Sequence, residues 1–138
     1  MSTANNKALI QGYFETMSSG GDVSVLFADN ISWWVPPGSG LSGTHEGKDA
    51  VLEFLGGGVG YYDESTPMVV TIDHIIAEDD WVSCEFRLEA KTASGKDYKN
   101  YYHFAFQVEN GLIKTVKEYL DTHYAFEAFQ SPLDQDDY

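Results

Sequence analysis

Near the start of the chain, Leu9, Ile10, Tyr13, Phe14 and Met17 fall three and four residues apart and mark one face of a helix. Ser18-Ser19-Gly20-Gly21 should end it, because adjacent glycines accept positive φ. Asp22 or Ser24 can cap a short second helix running through Leu26 and Phe27. Ile31-Ser32-Trp33-Trp34-Val35 is β-prone and is stopped by Pro36-Pro37-Gly38, after which a loop runs to Gly43. Residues 48–55 then place Val51, Phe54 and Leu55 on one side of a helix that Gly56-Gly57-Gly58 should terminate.

From Pro67 the period drops to two. Strands are expected over residues 67–78, 81–92, 98–109 and 112–120, divided by Glu78-Asp79-Asp80, Ser94-Gly95-Lys96 and Asn110-Gly111. Asn-Gly is the strongest short hairpin signal. Asp121 can cap a last helix over 122–129. Hairpin-length connections make these four strands an antiparallel meander and exclude a parallel doubly wound sheet. The order gives an α+β fold with helices on one face of a curved sheet, enclosing a mostly apolar pocket.

A length of 138 residues suits one domain, here 1–132, followed by an acidic tail at 133–138 expected to be disordered. Nine Tyr, eight Phe and three Trp call for a bulky core, an aromatic-lined cavity, or both. With 22 acidic residues against 8 basic, the net charge of −14 leaves no basic footprint for nucleic acid and disfavours anionic membranes. No apolar run approaches the ~18 residues needed to cross a bilayer. The polar N-terminus and the single cysteine, Cys84, fit a cytoplasmic protein without disulfides. Four scattered histidines lack ligand spacing, so no metal is expected. The Gly56–Gly60 run lacks the ending of a phosphate loop, and no cofactor is expected.

Chemistry is best sought at Glu85-Phe86-Arg87. Alternate strand residues share a face, so Glu85 and Arg87 point one way while Cys84, Phe86 and Leu88 point the other. Arg87 is the chain's one arginine, with a donor fork suited to a carboxylate. Glu118, mid-way along the last strand, is the natural third member of a pocket-facing Glu85–Arg87–Glu118 network. The alternative is a solvated cross-strand ion pair on the outer face. Tyr13, Trp33, Phe54, Tyr102 and Phe104 either line a cavity or form ordinary core. His45, beside Glu46, sits in a loop and could close the pocket mouth, whereas His103 alternates with Tyr102 and faces away.

An ordered set of short motifs also carries a resemblance: Leu26-Phe27-Ala28-Asp29, Trp33-Trp34-Val35-Pro36, Ser42-Gly43-Thr44, Gly47-Lys48-Asp49-Ala50-Val51, His103-Phe104-Ala105-Phe106, Asn110-Gly111-Leu112-Ile113 and Glu118-Tyr119-Leu120-Asp121-Thr122. Over about residues 7–130 the chain resembles the SnoaL-like branch of the ketosteroid-isomerase-related, nuclear-transport-factor-2-like superfamily. The resemblance implies a cone-shaped α+β barrel open at one end and dimerised through its sheet. With Glu85 and Arg87 facing the pocket, Phe86 and Leu88 fall on the outer face as apolar residues for such a dimer. It implies binding of a small hydrophobic molecule, with cofactor-independent cyclase, isomerase or hydrolase chemistry, or else a non-catalytic binding or dimerisation module. It adds Val35 to the pocket, where ketosteroid isomerases carry their general-base Asp, and places Phe14 and Tyr102 where they carry an oxyanion-binding Tyr and a protonated Asp. Val35 cannot take a proton, which argues against that activity. Epoxide-hydrolase relatives carry Arg-x-Asp where this strand reads Glu85-x-Arg87, the reverse order.

Overall fold

The helical face running from Leu9 to Met17 belongs to α1 (Thr3–Ser18) in the computed structural model, which describes residues 2–129. The expected tail at 133–138 lies outside the described residues. Ser2 caps α1 by accepting the Asn5 N–H at 3.0 Å, and Gly20 takes the positive φ of 75° that follows its end. A short 3₁₀ turn (Val23–Leu26), capped by Asp22, leads into β1 (Phe27–Val35) and β2 (Gly43–Glu46). Next come α2 (Lys48–Val59), β3 (Val69–Glu78), β4 (Trp81–Lys91), β5 (Asp97–Glu109), β6 (Leu112–Leu120) and α3 (Thr122–Phe129). Asn110 and Gly111 both have positive φ, 54° and 76°, as a primed hairpin turn between β5 and β6 requires.

Three boundaries differ from the pattern reading. β1 begins at Phe27 rather than Ile31. The segment taken as loop at Thr44–Glu46 pairs with β1, from Ser32 opposite Glu46 to Val35 opposite Gly43, and becomes an edge strand. Gly56, Gly57 and Gly58 do not stop α2. None of them takes positive φ, and the helix runs on to Val59 before closing in tightened turns from Gly60 and Tyr61. A glycine weakens a helix by about 1 kcal/mol but does not forbid it.

The six strands form one mixed, unclosed sheet in the order β2-β1-β6-β5-β4-β3. Only the β1–β6 pair is parallel. This is the α+β cone of the sequence reading: α1 lies against β3 and β4, and α2 against β1 and β2. The inner face carries Trp33, Val82, Cys84, Phe86, Tyr102, Phe104, Phe106 and Val116, all buried. Phe86 and Leu88 therefore belong to the core, not to the outer face expected from turning Glu85 and Arg87 inward. No helix among the described residues is long and apolar enough to cross a membrane.

Two register shifts decide which residues face inward. On β3 the pairing slips between Ile72 and His74, leaving Asp73 as an extra residue. Strict alternation from Val69 would turn Ile75 outward, but the slip turns it inward opposite Cys84, while Asp73 keeps the outer side and meets Arg87 there. A second slip, at Gln107 and Val108, resets β6 so that Val116, Glu118 and Leu120 oppose the inward-facing Phe106, Phe104 and Tyr102.

Candidate functional site

Glu118 is an acidic residue at an apolar position. It stands between Val116 and Leu120 on the inner side of β6 and directly opposite Phe104. Its Oε1 accepts the indole N–H of Trp33 at 3.0 Å. Trp33 is 1 % exposed, and its ring lies against Phe104 (5.6 Å between centroids), Tyr13 (6.4 Å) and Phe54 (6.4 Å). Glu118 as a whole keeps some accessible surface, but its carboxyl is surrounded by protein. Burial raises its pKa to about 7, outweighing the Trp33 hydrogen bond that favours the carboxylate. A carboxyl near neutrality can both take and return a proton at physiological pH.

Beside it runs a chain of phenols. The side-chain amide of Asn100 donates to the Tyr98 hydroxyl at 2.8 Å, and the Tyr98 and Tyr102 hydroxyls are hydrogen-bonded at 2.6 Å. Tyr62 packs edge-on against Tyr98, with its acidity coupled to Tyr98 and Glu118. Burial, reinforced by the negative charge of Glu118, raises the pKa of Tyr13, Tyr62, Tyr98 and Tyr102, that of Tyr98 to about 12. All four therefore stay protonated, and protonated phenols are hydrogen-bond donors for an oxygen that gains charge.

The residues named from sequence separate into two groups. Tyr13, Trp33, Val35, Tyr102 and Phe104 are buried on the inner side, and Phe54 joins them from α2 half-buried. Glu118 joins this group. Glu85 and Arg87 do not: Glu85 is exposed on the outer face opposite His103, and Arg87 is bound by Asp73 through Nε (3.2 Å) and Nη2 (3.0 Å). The expected Glu85–Arg87–Glu118 network thus does not form. The four apolar residues Val82, Cys84, Phe86 and Leu88 claim the inner side of β4, so their alternates must face water.

Sequence reasoning missed Tyr62, Tyr98 and Asn100. Tyr98, Asn100 and Tyr102 share one face of β5 by simple alternation and could have been read together, whereas Tyr62 lies outside the strands apart from a single bridge to Thr92. Two clefts lie elsewhere. One of about 430 Å³ runs between α1 and β3 along Gln11, Phe14, Glu15, Ser18, Val70 and Ile72. Another of about 280 Å³ lies on the outer face among Ser32, Trp34, Thr44, Thr115, Lys117 and Tyr119. Among the described residues, no group of three His, Cys, Asp or Glu side chains is placed to hold a metal ion.

Comparison with known families places the matched stretch at residues 10–116, under the model of the SnoaL-like domain. The chain belongs to the SnoaL-like domain family. No curated protein matches it. Solved structures share the SnoaL-like chain's nuclear-transport-factor-2-like fold. A protein of unknown function from Burkholderia pseudomallei K96243, described as NTF2-like, is 21 % identical at a TM-score of 0.84, over 95 % of this chain and 100 % of that one. TerC, co-crystallised with polyporic acid, is 18 % identical at 0.81, over 92 % and 99 %. A protein from Jannaschia sp. CCS1, described as a SnoaL-like polyketide cyclase, is 14 % identical at 0.80, over 94 % of each. At these identities the likeness to this SnoaL-like chain is one of fold.

Proposed function

We propose that the chain binds a small hydrophobic molecule bearing an oxygen function on the inner face beside Trp33, and that Glu118 moves a proton on it. The observation that carries this reading is a carboxyl set in the apolar interior on a single indole hydrogen bond of 3.0 Å, beside hydrogen-bonded phenols, where burial raises its pKa. Glu118 would take a proton from carbon or water, and a phenol of Tyr102 or Tyr62 would donate to the oxygen that becomes negative. Those two steps serve a cyclisation, an isomerisation or a hydration alike, and none of them calls for a cofactor. The cyclase and the polyporic-acid complex among the structural neighbours fit this class of ligand. Tyr13, Val35, Phe54 and Phe104 would supply the apolar walls. Entry needs an element that yields, and α2 offers one: Gly56, Gly57 and Gly58 face open space, where a Cβ would meet nothing within 4 Å, and each glycine weakens the helix. The lone cysteine, buried and raised to about 12, fits the reducing cytoplasm.

The test is α-proton exchange of 1-tetralone in D₂O followed by NMR. The wild type should accelerate exchange, and Glu118→Gln should lower that acceleration by about 100-fold. Equal rates with and without protein, together with no saturable quenching of tryptophan fluorescence, contradict the reading. A second reading, a dimerisation module, is favoured by exposed aromatics on the outer face: Tyr101 is 61 % and Tyr119 43 % exposed, and Tyr119 packs edge-on with Trp34 at 5.2 Å. A homodimer joined there should dissociate in Trp34→Ser/Tyr119→Ser, as read by sedimentation; a wild type that sediments as a monomer contradicts it.

A further inference from the structure

His45 has a polar atom that the protein leaves unanswered. Its Nε2 is buried and has no hydrogen-bond partner among the described residues. Buried polar nitrogens are nearly always paired, and one left alone is costly enough to need an account. The ring is not loose. It stacks on Phe54 at 4.1 Å with the planes 20° apart. Nor is it on the solvent side of the sheet: on β2 it stands directly opposite Trp33, the residue that hydrogen-bonds Glu118. Because β2, β1 and β6 are neighbours in that order, His45, Trp33 and Glu118 come from three adjacent strands and face the same interior. Two strand spacings, about 10 Å, separate the backbones of the outer members, with Trp33 on the strand between them.

We propose that His45 is a second polar arm of the site, its Nε2 hydrogen-bonding an oxygen of a bound molecule whose apolar body lies against Trp33 and Phe54. The inference rests on the reading that this inner face binds a small hydrophobic molecule, and it narrows the class to ring compounds with a hydroxyl or carbonyl at the β2 end. An imidazole nitrogen suits either group, donating to a carbonyl or accepting from a hydroxyl according to its tautomer. Stacking on Phe54 fixes the plane of the ring, so the direction of that hydrogen bond is set before the ligand arrives. His45 thereby selects where the oxygen sits relative to Glu118, which makes it a positioning and specificity residue rather than the proton-transfer group.

The experiment uses two probes that differ by one hydroxyl, 1-naphthol and naphthalene, titrated into the full chain. Binding is read by tryptophan fluorescence, and the imidazole is read separately through the ¹⁵N shifts of His45. The wild type should bind 1-naphthol about five- to tenfold tighter than naphthalene, and only 1-naphthol should move the His45 Nε2 resonance. His45→Phe keeps a ring on Phe54 and should bind both probes equally. If the hydroxyl preference survives in His45→Phe, or if the Nε2 resonance of the wild type ignores 1-naphthol, the inference is overturned while ligand binding at the inner face stands. If neither probe binds the wild type, both the inference and the binding reading fall. The resonance shift needs no variant, so poor folding of His45→Phe does not spare the inference from its test.

Discussion

On the outer face of the sheet, Arg87 grips Asp73 through two hydrogen bonds, and about a third of each side chain stays in water (35 % and 33 %). On the inner face, Glu118 has one indole N–H, and burial dominates its acidity. The first arrangement looks like a site and is chemically quiet: a well-formed ion pair in water contributes under ~1 kcal/mol. The second makes fewer bonds yet holds a carboxyl that can change charge near neutral pH. Desolvation without a compensating charge, rather than the number of partners, marks the reactive group.

The comparison can be broken at its largest difference first. Phe104 is the inner residue directly opposite Glu118 and touches the rings of Trp33, Phe86 and Phe106. Phe104→Ala should cost about 3–5 kcal/mol in urea unfolding, as large-to-small changes in packed cores do. A loss below about 1 kcal/mol would mean that the inner face is not a packed core.

Next in size is Glu118→Gln. The folded-state pKa of Glu118 is raised from 4.5 to about 7. The stability it contributes is whole below about 4.5 and is lost as pH rises towards and through about 7. The wild type should therefore weaken by about 2 kcal/mol relative to Glu118→Gln between pH 4.5 and 8, allowing for the residue's partial exposure. Asp22 and Asp63 have lowered pKa values, from hydrogen bonds with Ser24 and Ser65, and act in the opposite sense as pH falls. Both are common to the two proteins, so they cancel in the difference. Parallel stability curves for wild type and variant would contradict the assignment.

The smallest effect belongs to the outer face. Arg87→Ala should change stability by less than ~1 kcal/mol, and the change should shrink in 1 M salt. It should leave any acceleration of proton exchange intact. A variant that unfolds, or that loses that acceleration, would restore Arg87 to the site.

Much of this contrast could be read in the chain. The four apolar alternates Val82, Cys84, Phe86 and Leu88 already assign Glu85 and Arg87 to water, and an acid between Val116 and Leu120 already stands out as an exception. The chain's one arginine beside an acid pointed to the wrong face, because a charge inventory does not carry strand phase. The helices, the meander and its turns were legible because each has its own local signal. Other features had none. The bulge at Asp73 that turns Ile75 inward has no sequence signature, and Tyr62 reaches the phenols from outside the strands. β2 is four residues long and earns its place through pairing with β1 alone. Gly56-Gly57-Gly58 read as a stop but stayed helical, since several weak penalties are not a prohibition.

The account stands on the protonation of one side chain, and ¹³C-detected NMR of the glutamate carboxyls measures it directly. Glu118 should titrate with a midpoint near 7, well above the ordinary glutamate value of about 4.3. A Glu118 carboxyl that titrates near that ordinary value would mean that water reaches it freely, and the inner face would then hold no acid–base site.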